Sequence, residues 1–290
     1  MSQEQQKIKY IDLFCGIGSF HYSFNPLGWD CVMACDIDKA AKDTYKENYG
    51  IMPLDDIRKI DIKTIPNHDV LCFGLPCQAF SQCGQHRGFE DERGALFFNV
   101  MNIIKHHKPN IIILENVQGL LTHDGGNTFQ RIKTEFQKEN YTLTHKLLKC
   151  SDYGLPQMRK RLFVIGIKNE TPLVEHIDKF LDLDEYKNET TLTAFLGKNF
   201  EKTTAYTIRC GGKNSPINDR HNWDGYLVDG KEYRLTIGDC LKLQGFGSGF
   251  KLRGTNKEQW KQLGNTIPTI FTELIGKNID KYYKLSYNLT

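Results

Sequence analysis

The sequence predicts an α/β protein: a mostly parallel sheet covered by helices, followed by a small loop-rich second domain. Two observations carry this. Over the first 167 residues, short apolar runs alternate with stretches of helical spacing, the pattern of strand–helix–strand units. From Thr190 to about Gly249 the runs shorten and glycines cluster, at Gly211-Gly212, Asp229-Gly230 and Gly245-x-Gly247-x-Gly249, as in a domain built largely of turns. A chain of 290 residues is long enough for one sizeable core with a satellite.

Taken in order, Tyr10–Phe14 and Cys31–Cys35 read as the first two strands. Val70–Phe73 and Ile111–Leu114 follow, each bounded by turn residues or a charge. Between the last two, Leu96, Phe97, Val100, Met101, Ile103 and Ile104 recur at helical spacing. Phe129, Ile132 and Phe136 form one face of another helix, with Asn127 as its expected N-cap. Residues 141–149 and 162–167 look like a strand pair closing the sheet. Seven acids against two lysines between Glu170 and Glu189 suggest a solvated boundary. Ala205–Ile208 reads as a strand-like piece of the second domain. After Gly264, Ile267, Ile270, Phe271, Leu274 and Ile275 return to helical spacing, as in a tail helix that packs back on the first domain.

Composition narrows the classes. Hydrophobic residues make up 39% and charged residues 25%, an ordinary balance for a soluble protein. No run of eighteen apolar residues exists, which excludes a membrane-spanning helix. The first seven residues lack an apolar secretory core. Nine scattered cysteines suit a reducing cytoplasm better than a disulfide framework. They form no pair of Cys-x2-Cys motifs, and His106-His107 is an adjacent doublet whose side chains diverge, so no metal is expected. A net charge of +3 is too small to name a partner.

In an open parallel sheet, ligands bind beyond the carboxyl ends of the strands. Gly16-x-Gly18 follows the first strand here, and Asp36 follows the second. Gly74-Leu75-Pro76-Cys77 follows the third, and Glu115-Asn116 ends the fourth. A glycine turn, two acids and a thiol therefore converge on one edge. Asp36, about twenty residues after the glycines, stands where an acid can accept bonds from ribose hydroxyls. Cys77 follows a proline outside the apolar run, unlike Cys72. Glu115 closes an apolar strand, where a carboxylate is costly without a partner or a task.

Together these residues resemble the cytosine-5 DNA methyltransferase family, in its bacterial restriction-modification branch. Asp12–Gly18 is similar to its first motif and Gly74–Ser81 to its nucleophile motif. Glu115-Asn116-Val117 matches Glu-Asn-Val, and Gln157–Arg161 matches Gln-x-Arg-x-Arg. Arg234-Leu235-Thr236 with Gln244-Gly245-Phe246, and Gly264-Asn265-Thr266, resemble the last two motifs. Ser19 replaces a frequent third glycine, and Asp239 stands where the family often has Glu.

The resemblance implies a Rossmann-like sheet that uses S-adenosylmethionine. Residues 1–176 with 260–290 would form the catalytic and cofactor-binding domain, and residues 177–259 a target-recognition domain. Phe14, Gly16, Gly18, Asp36, Ile37, Asp56, Ile57, Leu96 and Asn265 would bind the cofactor. Cys77 would attack carbon 6 of a flipped cytosine, Glu115 would serve N3, and Arg159 and Arg161 would hold the base carbonyl and help pair the thiolate. Gln78, Asn116 and Gln157 would support the surrounding loops, and Ser81–Gly88 would close as a lid.

Thr207, Arg209, Lys213, Asn214, Arg220, His221 and Asn222 are candidates for base reading in double-stranded DNA. Lys251, Arg253, Lys257 and Lys261 would form a phosphate rim. A cytoplasmic monomer working beside a restriction endonuclease is the expectation. The competing readings are an RNA methyltransferase, whose Cys-Phe-Thr signature is absent here, and a catalytically silent DNA-binding relative, which the intact Cys77, Glu115, Arg159 and Arg161 disfavour.

Overall fold

The computed structural model describes residues 7–75, 92–186 and 190–287. Strands β1 (Lys9–Leu13), β2 (Asp30–Cys35), β3 (Val70–Gly74) and β4 (Ile111–Asn116) pair in parallel. The antiparallel pair β5 (Tyr141–Lys149) and β6 (Lys160–Lys168) completes one sheet in the order β2-β1-β3-β4-β6-β5. Helices α1 (Ser19–Phe24), α2 (Lys39–Tyr49), α3 (Glu92–His107) and α4 (Asn127–Lys138) lie between these strands in the chain. The second part contributes α5 (Leu192–Leu196), the hairpin β7 (Gly225–Val228) and β8 (Lys231–Arg234), α6 (Ile237–Leu243) and α7 (Asn256–Asn265). The tail is α8 (Thr269–Ser286).

Strand side chains alternate between faces, so each apolar run feeds two cores. Ile11, Leu13, Leu71, Phe73, Ile112 and Leu114 pack with Phe97, Val100 and Ile104 of α3 and Ile132 and Phe136 of α4. Their neighbours Tyr10, Val70, Cys72, Ile111 and Ile113 pack on the other face with Phe20 and Phe24 of α1 and Phe271, Ile275 and Ile279 of α8. Those three α8 side chains are fully buried and contribute roughly 5–9 kcal/mol of apolar transfer, so the tail is part of the first core. A third cluster joins Leu192, Ala205, Ile208, Trp223, Tyr226, Cys240 and Leu263 to Ile17 and Ala41.

Three local expectations change. Asn127 is the first residue of α4, and the cap is Gly126 at φ 93. The acidic stretch is not simply solvated, because Leu173, Phe180, Leu181 and Leu183 are buried in the second core. Ala205–Ile208 makes one isolated bridge, to Gln157, rather than a strand. Its backbone groups are taken by Pro156, Met158, the Tyr226 hydroxyl and the Gln157 side chain. Among the described residues, no helix is long and apolar enough to cross a membrane.

Candidate active site

The chain leaves β1 toward β2 on one side of the sheet, and β3 pairs with β1 on the other. That switch opens a crevice at the carboxyl ends of the strands. A cavity of about 540 Å³ occupies it, lined by Asp12, Phe14, Gly16, Asp36, Gly74, Glu115 and Asn265 among others.

The glycine turn sets one wall. Phe14, Gly16 and Gly18 all take positive φ (58, 54 and 85). At Gly18 a side chain is excluded twice over: by its φ, and because a Cβ would come within 2.4 Å of Tyr49 and 2.8 Å of Tyr45. Tyr49 in α2 donates its hydroxyl to the Gly18 carbonyl at 2.8 Å and stacks on His21, ring centroids 4.1 Å apart. Ser19, in place of a third glycine, donates to the Ile267 carbonyl at 2.7 Å. Asp36 accepts the Gly16 N–H at 2.7 Å and the Asp38 N–H at 2.8 Å, and burial raises its pKa. Ile37 is 73% exposed at the rim. Ile57 and Leu96 line the cavity with Asp56. The Asp56 carboxylate is shared with the Arg58 guanidinium at 2.7–3.1 Å, which holds it at about 2.

At the end of β4, Glu115 is 8% exposed and meets the Arg161 Nε at 2.8 Å. Burial raises its pKa, while Arg161 and Arg159 pull it back in part. A Cβ on Gly74 would lie 3.2 Å from the Glu115 Oε2, so the small residue leaves room for the carboxylate. Asn116 donates to the Leu75 carbonyl at 3.3 Å and accepts the Val117 N–H at 2.9 Å, tying β4 to the chain that leads toward Cys77. Cys77 itself, Gln78 and the Ser81–Gly88 loop lie outside the described residues.

A family model described as "C-5 cytosine-specific DNA methylase" matches residues 8–222 and 184–281. The chain belongs to that family. Among curated methyltransferases, Type II methyltransferase M.DsaV of Dactylococcopsis salina is 34% identical over 98% of this chain and 89% of its own length. Type II methyltransferase M.HhaI of Haemophilus parahaemolyticus is 31% identical over 94% of each. The fold is shared with S. pombe Dnmt2 methyltransferase, at TM-score 0.68 and 19% identity over 95% of this chain and 99% of that one.

The two arginines of the methyltransferase's Gln-x-Arg-x-Arg motif take different places. Arg161 lines the cavity. Arg159 is 1% exposed and donates to the carbonyls of Ile208, Gly264 and Thr266 at 2.8–2.9 Å. That fastens the second part of the chain to the cavity wall, a bracing position that spacing alone did not separate from Arg161's. Gln157 works beside it, accepting the Ile208 N–H at 3.2 Å and donating to the Leu243 carbonyl at 2.8 Å. Asn265 lines the cavity and accepts from the Cys210 thiol at 2.8 Å. Asp239 serves as well as Glu would, since it completes a capping box with Thr236 at the start of α6.

Sequence reasoning passed over Asp12 and Lys261 as cavity groups of the methyltransferase. Asp12 is 1% exposed, and its Oδ2 has no hydrogen-bond partner; the signal was an acid inside an apolar strand. Lys261 lines the cavity and pairs with Asp38 at 2.5 Å. Lys251 and Arg253 pair with Glu47 of α2 at 3.4 and 2.6 Å. Three of the four cations expected as a phosphate rim thus already face acids of α2 and the loop before it.

Proposed function

We propose that this chain transfers a methyl group from S-adenosylmethionine to carbon 5 of a cytosine flipped out of a specific double-stranded DNA sequence, through a covalent bond to Cys77. The observation that carries the reading is the buried Glu115–Arg161 pair opening onto the same cavity as the glycine turn and Asp36.

The cavity's chemistry fits the donor. Acids line it in excess of cations, with Asp36, Asp38, Asp55 and Asp56 beside Arg58, Arg161 and Lys261, a balance suited to a cationic molecule. Phe14, Gly16 and Gly18 would hold its methionine and ribose side, Asp36 the ribose hydroxyls, and Ile37 the adenine face. Asp56, Ile57 and Leu96 would close the adenine end and Asn265 the methionine end. When bound, S-adenosylmethionine supplies an electrophilic methyl group on a sulfonium.

The chain's own residues supply the rest. A pyrimidine inside a stacked duplex is out of reach, so the target is extruded at a cost of a few kcal/mol. The Cys77 thiolate bonds to carbon 6, and the electron pair of the 5,6 double bond becomes available at carbon 5. Glu115, whose pKa burial raises, gives a proton to N3, so the ring does not accumulate negative charge. Arg161 holds the base carbonyl by charge-assisted bonds, and Arg159 supports that arrangement from behind. Once carbon 5 has taken the methyl group, with S-adenosylhomocysteine as the leaving product, the carbon 5 proton is lost to a base. The sulfur–carbon 6 bond then breaks to return the thiolate, and N3 gives its proton back to Glu115. The protein acts as a cytoplasmic monomer, partnered by a restriction endonuclease cutting the same sequence. Residues 177–259 recognise the target.

The test offers labelled S-adenosylmethionine with duplex DNA or with transfer RNA. Label is expected in DNA only, lost in Cys77→Ser while donor binding persists. A duplex carrying 5-fluorocytosine at the target is expected to become joined to Cys77. Transfer to RNA alone, or methylation by Cys77→Ser, would overturn the reading.

A further inference from the structure

We infer that Arg209 and Arg220 read guanine bases, so that the recognised sequence carries guanine on the major-groove side that this loop faces. The inference deepens the proposed DNA-methylating function and rests on it.

The segment from Ile208 to Gly211 is tied to residues of the cavity wall. Arg159 bonds the Ile208 carbonyl with one nitrogen and those of Gly264 and Thr266 with the other. Cys210 touches Asn265. A Cβ on Gly264 would come within 2.5 Å of the Arg209 backbone. Arg209 is therefore an exposed side chain beside residues that line the cavity, on backbone held in place by buried bonds.

The rest of the loop is framed from beneath. Trp223 donates its indole N–H to the Gly211 carbonyl at 2.8 Å. Asp224, fully buried, accepts the Asn214 N–H at 3.2 Å. Arg234 donates to the Ser215 carbonyl at 2.8 Å and to Asp224 at 3.3 Å. Such a frame presents a few side chains at fixed positions, as base reading demands.

The frame also sorts the seven sequence candidates. Asn222 is buried, and its amide is spent on Ile217 and Gly225. Lys213 lies 3.5 Å over the Trp260 ring. Asn214 provides a left-handed turn residue at φ 65, and Thr207 is half-buried. Arg209, Asn214, Arg220 and His221 are exposed, and of these only Arg209 and Arg220 carry a guanidinium fork. Arg220 donates its Nε to the His221 Nε2 at 3.1 Å, and the His221 N–H is held by Asp219 at 2.6 Å. That contact orients the guanidinium and leaves its two terminal nitrogens as a fork. A fork of two parallel donors matches O6 and N7 of guanine, and no other base edge offers that acceptor pair.

The experiment incubates wild-type protein, Arg209→Ala, Arg209→Lys, Arg220→Ala and Arg220→Lys with S-adenosylmethionine and a random-sequence duplex library. Methylated sites are then read by bisulfite sequencing. Wild type is expected to require guanine at defined positions. Each alanine variant is expected to lose discrimination at one guanine by roughly 5- to 150-fold, with unchanged melting temperature and donor KM. Lysine keeps the charge but not the fork, so the lysine variants should relax at the same position. Three outcomes overturn the inference: a consensus with no guanine beyond the partner of the target cytosine, an unchanged consensus in the variants, or uniform weakening that lysine rescues and salt mimics, the mark of a phosphate contact. Wild type that methylates no DNA sinks the enzymatic reading itself, and this inference with it.

Discussion

Two buried carboxyl groups show how position, rather than residue type, sets chemistry. Glu115 has Arg161 beside it yet is held above the ordinary glutamate range by burial, which suits a group that must still carry a proton when the base arrives. Glu115→Gln is expected to lower kcat by about 10²-fold or more with donor affinity unchanged, measured by single-turnover methyl transfer. In the wild type the same step should slow as pH rises through the raised pKa. Asp12 has no such partner, and burial with the nearby Asp36 raises it well above its usual value. The folded protein therefore keeps this proton at pH values where the unfolded chain has released it, and unfolding sheds a proton. Stability is expected to erode as pH climbs from about 4 toward the raised value, by up to about 1.4 kcal/mol per unit. Thermal melts of Asp12→Asn across that range should show a flatter profile.

Among elements, the glycine turn is where sequence and structure agreed in outline and differed in cause. Its place after β1 was legible because an apolar run, a glycine turn and a helical pattern follow one another. What holds it was not legible: Tyr45 and Tyr49 come from α2 and read as ordinary helical aromatics. Tyr49→Phe, which removes the hydroxyl's bonds to the Gly18 and Ile17 carbonyls, is expected to raise donor KM several-fold at constant kcat, checked by initial rates. Gly18→Ala should cost well over 1 kcal/mol from its φ alone, with overlap against both tyrosines added. The four parallel strands were readable from period and punctuation, and so was the tail helix. Ala205–Ile208 was misread because β-branched and aromatic residues suit a pleated edge, whereas side chains from two other segments claim its backbone. Arg159 and Arg161 were assigned together because residues two apart in an extended chain share a face, whereas Arg159 lies just before β6 and takes partners of its own.

For the whole molecule, stability and chemistry divide along those two arginines. Arg159→Met would leave three buried carbonyls without their donor, at a cost of about 3–5 kcal/mol and a fall in melting temperature on the order of 10 °C. Arg161→Met removes one partner of a buried ion pair, so it should lower the melting temperature too, but less than Arg159→Met because Glu115 can take up a proton, while abolishing most methyl transfer. Calorimetry and a methylation assay on both variants separate the roles. The packing of α8 against α1 has another consequence. Tyr10, Val70 and Ile111 are made well before the helix that covers them. Until that helix is made, one side of the sheet has only α1 against much of it and stays oily, a surface for chaperones to mask. A stop codon just before Thr269 would leave it permanently so, and such a fragment belongs in inclusion bodies rather than in solution.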